Sequence, residues 1–353
     1  MLKRGRGIAL SWYGTGYGNG FPDYSVATVE LAENGEILLR VGATEVGQGS
    51  KTIMPQVCAE VLGVHSDQVH MICEDTREFL DSGTAAASRQ TYNTGNAVLK
   101  ASESFKKALL EEARLYLKLN STAGLEMEDQ KIWLPIFPSR KTTFAELAAH
   151  LKSEGRILAV TDSFTAQTIG MNPETGEGVP YWPYTFNAYG TEVEVDTETG
   201  RVQVLQAWCV QDVGRAINPD LVEGQIDGGF VMGLGYALYE DLGVKDGIIK
   251  NNKFAKYIIP TAMDIPTIHK YIVEDPENTA PYGAKGIGEP TMVPVAPAIL
   301  NAIYDAIGVR IYELPATPDV VLKAIVADRE AKASAKSASE APSVAAEGAG
   351  KNG

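Results

Sequence analysis

One carboxylate stands in a setting suited to chemistry. In the stretch 283–290, Gly-Ala-Lys-Gly-Ile-Gly-Glu-Pro, three glycines and a proline surround Glu289. Glycine is used where no side chain fits or where φ is positive. An acid fixed between Gly288 and Pro290 is rigid and partly desolvated, which tunes a carboxylate toward general-base work. The plainer reading is a surface turn capping the helix that follows. Two glutamines share such surroundings: Gln48 lies between Gly47 and Gly49 just before a helical pattern, and Gln225 follows Gly224 inside another. A glycine-flanked glutamine at a helix N-terminus offers backbone N–H groups and one amide to an anionic or oxo ligand. The run 81–96 is small and hydroxylated, and its segment Ala87, Ser88, Arg89, Gln90, Thr91 suits a polar ligand carrying phosphate. It lacks the Gly-Lys-Ser/Thr ending of a Walker loop and reads alternatively as a helix start. Tyr13 and Tyr17 belong to an aromatic, glycine-rich stretch, 8–24, read as a loop that carries rings to a pocket or plugs the core.

The elements that must position these residues repeat. Alternating runs at 25–31 and 36–41 flank Asn34-Gly35, a strong hairpin signal. A helix is expected over 51–62, with Ser50 as N-cap and Gly63 as stop, then a strand over 68–73 and a helix over 97–118. The pattern returns with runs at 191–195 and 201–210 around a turn at 196–200. Asn218 and Pro219 then open a helix reaching about residue 240. We read an α+β fold of two similar hairpin-plus-helix subdomains enclosing a shared cleft, each contributing a glutamine. The expected divisions are 1–118 for the first subdomain, 119–189 for a peripheral insertion and lid, and 190–327 for the second with Glu289. A capping box, Thr143 with Glu146, opens a short helix in the insertion. A helix over 297–307 stops at Gly308, and a last short helix starts at Thr317-Pro318. Residues 328–353 collapse to Ala, Ser, Glu, Lys and Gly and are expected to be a disordered tail.

Composition bounds the function. The 353 residues are 44% hydrophobic, enough for a substantial core. With 31 basic against 45 acidic residues the net charge is −14, which argues against nucleic acid as partner. No stretch approaches the ~20 apolar residues of a membrane span, and the start lacks a signal-peptide core, so a cytoplasmic protein is expected. Cys58, Cys73 and Cys209 have no C-x-x-C spacing, and His65, His70, His150 and His269 form no ligand pair. The electrons of any redox reaction must therefore leave through another chain.

Five motifs in order carry a resemblance: Gly47-Gln48-Gly49, Ala87-Ser88-Arg89, the run Asp212 to Pro219, Glu223-Gly224-Gln225, and Gly286-Ile287-Gly288-Glu289-Pro290. Over about residues 5–326 the chain resembles the xanthine dehydrogenase/aldehyde oxidase family, specifically the second half of its molybdopterin-binding part. Its start, 2–7, is similar to subunits of nicotinate dehydrogenase, in which that part is split between two polypeptides. The resemblance implies a molybdenum hydroxylase subunit acting on an electron-poor carbon, of an N-heterocycle (nicotinate or purine class) or alternatively of an aldehyde. A non-catalytic cofactor-binding scaffold is the reading of another class. It further implies Glu289 as the catalytic base and Gln48 as hydrogen-bond donor to the apical oxo group, with Gly47 and Gly49 lining the pterin. Ala87, Ser88, Arg89, Gln90 and Thr91 would hold the pterin and its phosphate or cytosine dinucleotide tail, and Gln225 and Gly288 would complete the cage. Tyr13 or Tyr17 would lie against the substrate ring. The metal is held by the pterin dithiolene, so no side chain ligates it. The family's other molybdopterin-binding half and its [2Fe-2S] and FAD domains are implied on partner subunits.

Overall fold

The computed structural model describes residues 1–18 and 23–340. Along the chain come β1 (Leu2–Gly14), β2 (Tyr24–Leu31), β3 (Ile37–Val41), α1 (Ser50–Leu62), β4 (Val69–Ile72) and α2 (Gly95–Tyr116), the last entered through a π-helical turn at Gln90–Thr94. Then follow β5 (Glu126–Glu128), β6 (Lys131–Leu134), β7 (Phe137–Thr143), α3 (Phe144–Ser153) and β8 (Ala159–Thr165). The remainder is β9 (Tyr184–Asp196), β10 (Val202–Asp212), α4 (Pro219–Leu238), the small pair β11 (Val244–Lys245) and β12 (Ile248–Ile249), β13 (Thr267–Val273), α5 (Val295–Ile307) and α6 (Pro318–Glu340).

Two four-stranded sheets follow one plan. The first runs β4-β3-β2-β8 and the second β13-β10-β9-β1. In each, an antiparallel hairpin leads through a helix, α1 or α4, to a strand parallel to the hairpin's second member. A parallel neighbour cannot be reached by a tight turn, so the helix is the crossover. Gly35 at φ 88° and Gly200 at φ 76° close the two hairpins in a region that side chains disfavour. α1 and α2 cover one face of the first sheet, where Leu39, Met54, Leu62 and Phe105 are buried. α4 and α5 cover the corresponding face of the second, over Tyr189, Val193, Phe230 and Ile299. The repeat read from the sequence is thus a repeat of layers, giving an α+β fold with one core per half.

The structure departs from expectation at three places. β1 runs through residues 8–14, expected as loop, and pairs with β9 from Leu2↔Asp196 to Gly14↔Tyr184, so the chain's first strand completes the second sheet. β8, expected in the insertion, completes the first. The sheets therefore cut across the expected boundaries at 118 and 189. Gly5 and Gly7 let β1 lie against α5: a Cβ at either would overlap the backbone of α5 at Ala298, Ala302 or Ala306. Glycine inside a strand marks such an approach of another backbone. Gly7→Val is expected to lower unfolding stability by about 3 kcal/mol or more, whereas Ile8→Val on the opposite face costs less than about 0.5 kcal/mol. Denaturant midpoints of the two variants check this. Second, the N-cap of α1 is Gly49, at φ 92°, and Ser50 is the first helical residue. Third, α6 continues to Glu340, so 328–340 is helical and the last helix is not short. Alanine, lysine and glutamate that read as disorder are also good helix formers. Residues 341–353 of the expected tail lie outside the described residues.

Candidate active site

A cleft of about 450 Å³ lies between the halves, walled by the segment before α1, the turn at 85–91, one face of α4 and the loop carrying Glu289. The segment before α1 is organised by Glu45. Its carboxylate accepts the N–H groups of Gly47 (2.7 Å), Gly49 (3.0 Å) and Lys51 (2.9 Å) and the Ser50 hydroxyl (3.2 Å). Partial burial pushes this carboxyl up, but the donors from Lys51, Gly49, Gly47 and Ser50 outweigh it and hold it below the ordinary range. An anion therefore sits at the positive end of α1 and takes the capping role expected of Ser50. Gln48 folds over the same turn, its Oε1 accepting Val46 N–H (2.7 Å) and its Nε2 donating to Thr44 O (2.8 Å). One amide N–H of this cleft-lining side chain is left for a ligand.

The turn at 87–88 binds Glu289 directly. Ala87 and Ser88 both take left-handed backbone conformations, φ 56° and 51°, a strained choice for non-glycine residues that clusters at functional sites. The result is a clamp. Ala87 N–H donates to Glu289 Oε1 (2.9 Å), Ser88 Oγ donates to Oε2, and the Glu289 N–H donates back to Ser88 Oγ (3.0 Å). Tyr13 projects from β1 beside both residues. Burial, and then the neighbouring Glu289 charge, push its phenol up to about 12, so the hydroxyl stays protonated through the neutral range. Tyr17 is not part of the cleft wall, and its backbone N–H donates to Asp23 (3.3 Å).

Arg89 stands where expected, but its guanidinium does not face the cleft. It is buried, ion-paired with Asp23, and donates to the carbonyls of Ser82 (2.9 Å), Thr84 (3.1 Å) and Tyr24. The group expected to hold phosphate instead ties the turn to the first sheet. Its neighbour Gln90 does point to a ligand: both its amide oxygen and nitrogen are buried at the cleft wall with no partner among the described residues.

The Glu289 loop is fastened at both ends. Lys285, nearly fully buried, pairs with buried Asp212 at the end of β10 (2.8 Å) while its N–H donates to Val213 O (3.0 Å). Asn187 of β9 donates to Pro290 O (2.6 Å). Gly229 admits Thr291, which a Cβ there would overlap, and Gln225, Gly228 and Met232 of α4 form the facing wall. Gly47, Gln48, Ser88, Gln90, Thr91, Gln225, Gly288 and Glu289 are thus brought to one cleft, with Gly49 and Ala87 adjoining. Sequence reasoning gave no role to Asp23, Glu45, Asn187, Asp212 or Lys285. Only the Lys285 position inside the Glu289 motif and the Asp212 position at the head of its run carried any signal.

The wall fits a flat, hydrogen-bonding heterocycle. A Cβ at Gly47 or Gly228 would meet no protein atom within 4 Å, so both leave open space there. The orphaned Gln90 amide offers a donor and an acceptor. No cluster of three His, Cys, Asp or Glu able to hold a metal occurs among the described residues. Such a site defines a cofactor-cradling chain that sets one carboxylate beside its ligand. The family model for the molybdopterin cofactor-binding domain matches residues 1–266, and the chain belongs to that family. It is 32% identical over 328 residues to the putative xanthine dehydrogenase molybdenum-binding subunit XdhA of Escherichia coli (strain K12), covering 90% of this chain and 41% of that protein. Quinoline 2-oxidoreductase from Pseudomonas putida 86 superposes with a TM-score of 0.77 at 25% identity, over 92% of this chain and 42% of that one. The aldehyde oxidoreductase from Desulfovibrio gigas gives 0.76 at 30% identity, over 92% and 33%. The chain thus spans less than half the length of these relatives.

Proposed function

We propose that this chain is one half of the molybdopterin-binding part of a hydroxylase that oxidises an electron-poor carbon of an N-heterocycle of the nicotinate or purine class. The observation that carries this is Glu289, clamped by Ala87 and Ser88 at a cleft that also receives Gln48, Gln90 and Gln225. When bound, the cofactor supplies the two-electron chemistry of molybdenum. This chain's part is to hold the pterin and to move a proton. Gln48 and Gln90 present amide groups to it, and Gly47, Gly228 and Gly288 leave room for its rings. The Glu289 carboxylate accepts the proton released as water-derived oxygen joins the substrate carbon, keeping lone pairs free after its bonds to Ala87 and Ser88. In balance, R–H and water give R–OH, two protons and two electrons, the electrons passing to [2Fe-2S] and FAD groups on partner subunits. Tyr13, beside Glu289, stands against the substrate ring.

An aldehyde substrate is the second reading, favoured by the likeness to the Desulfovibrio gigas enzyme. No described helix is long and apolar enough to cross a membrane, and we place the complex in the cytoplasm. The test is metal analysis of the complex purified from its host. Molybdenum and iron together in the complex, and neither on the separated chain, is the expected result. Absence of molybdenum from every fraction, in cells shown to make the cofactor, would overturn the proposal in favour of a scaffold.

A further inference from the structure

Lys285, on the same loop as Glu289, is buried together with Asp212 as an ion pair of 2.8 Å, each residue 6% exposed. A buried pair adds little net stability, because the cost of desolvating two charges offsets their attraction. What it provides is a fixed position. Asp212 is arranged to receive the lysine: its Oδ1 accepts Gly214 N–H (2.9 Å), and its Oδ2 accepts Phe186 N–H (3.4 Å) as well as Lys285 Nζ. One carboxylate thus joins β9, the end of β10 and the Glu289 loop. The loop runs beside residues 213–215 in an antiparallel bridge, Lys285 N–H donating to Val213 O (3.0 Å) and Arg215 N–H to Gly283 O (2.9 Å). Gly214, at φ 65°, permits this approach, since a Cβ there would lie 2.1 Å from Gly283 O and 2.9 Å from Lys285 Cγ. Tyr282 enters the loop at φ 52°, a strained setting that persists only where the surroundings enforce it.

The other side of the loop meets the clamp. A Cβ at Gly286, next to Lys285, would lie 1.7 Å from Ser88 O, so the loop backbone is pressed against the turn that holds Glu289. Beyond the carboxylate, Pro290 O is held by Asn187 (2.6 Å), which pairs in register with Gln211, the neighbour of Asp212. The base therefore lies between two adjacent anchor points at the ends of β9 and β10. We propose that Lys285 and Asp212 are positioning residues for the proposed hydroxylation. Their pair sets how far the loop stands from the second sheet, and so whether Gly286 seats on Ser88 and the Glu289 carboxylate meets the Ala87 and Ser88 donors. Neither residue touches the reacting atoms. The inference rests on the proposed function for what Glu289 does, not for where the pair holds it.

The test uses the complex purified from its host, with turnover of nicotinate, hypoxanthine or benzaldehyde, whichever the wild type oxidises, read per molybdenum. Lys285→Met is expected to lower kcat about 10- to 100-fold with KM within about threefold, the loss that a displacement of about 1 Å produces. Lys285→Arg keeps the charge and should recover part of the rate. The double variant Asp212→Asn/Lys285→Met should regain stability to denaturant while kcat stays low, which a purely structural pair would not do. If Lys285→Met fails to assemble, this double variant carries the same readings. Ser88→Ala should cost clearly less in the Lys285→Met background than alone, since both act through one clamp. Hydrogen exchange in the intact complex gives a reading independent of activity: amides of 286–289 should exchange at least about tenfold faster in Lys285→Met, with those of α4 and α5 unchanged. Unchanged exchange in the loop, wild-type kcat in Lys285→Met or in the double variant, or full additivity with Ser88→Ala would each overturn the inference. A wild-type complex that oxidises only the aldehyde would sink the N-heterocycle reading alone. One that oxidises none of the three would sink the proposed function, and the exchange comparison would then decide whether the pair places the loop.

Discussion

Glu289→Ala is expected to lower turnover of the assembled enzyme by about 10²- to 10⁴-fold while its molybdenum content stays within about twofold of wild type. Catalysis by a positioned base depends on a carboxylate held in one orientation; two hydrogen bonds from the 87–88 turn hold this one, and a third, from the Glu289 backbone N–H to Ser88 Oγ, fixes its backbone. The companion variant separates two roles. Glu289→Gln keeps an oxygen to accept the Ala87 N–H and an amide able to bond Ser88, so the turn should survive, but an amide cannot take up the proton. Both variants should therefore be inactive, with normal cofactor content in the glutamine form. Turnover close to wild type in Glu289→Gln would mean that Glu289 serves only to brace the strained turn. Single-turnover rates at saturating substrate, beside molybdenum per complex, give the answer.

What could be seen in the sequence was whatever depends on neighbours along the chain. Gly35, Gly63 and Gly308 end their elements in left-handed conformations as their positions implied. The Thr143–Glu146 capping box forms, with hydrogen bonds of 2.8 and 3.2 Å, because its two partners are three residues apart. The parts of the candidate site that depend on partners distant in sequence were not legible. Residues 8–14 read as loop because the strand they pair with, β9, lies 170 residues or more away in sequence. Glu45 gave no sign of capping α1, since its carboxylate reaches forward across a loop whose shape it creates. Arg89 was drawn to the site by residue type, yet type alone cannot say which way a guanidinium points. Asp23, 66 residues away, settles its direction.

That direction has a large energetic consequence. Arg89→Met leaves the Asp23 carboxylate buried without its cation and frees the carbonyls of Ser82, Thr84 and Tyr24 that the guanidinium now gathers. Removing one partner of a buried pair costs about 3–5 kcal/mol, because the remaining charge is uncompensated. Arg89→Lys should recover little, since an ammonium cannot serve four acceptors spread around a planar fork. Asp23→Asn should also destabilise, while the double variant Asp23→Asn/Arg89→Met should lose clearly less than the two single losses combined, the signature of residues acting as a unit. Denaturant unfolding of the four forms measures this. The site responds through position rather than contact: the 87–88 turn begins two residues before Arg89, so slackening it releases the clamp on Glu289 and lowers cofactor retention in parallel with stability. If Arg89→Met instead unfolds like wild type and loses only cofactor affinity, the guanidinium faces the ligand's phosphate in the working enzyme, and the pair with Asp23 is not what shapes the cleft.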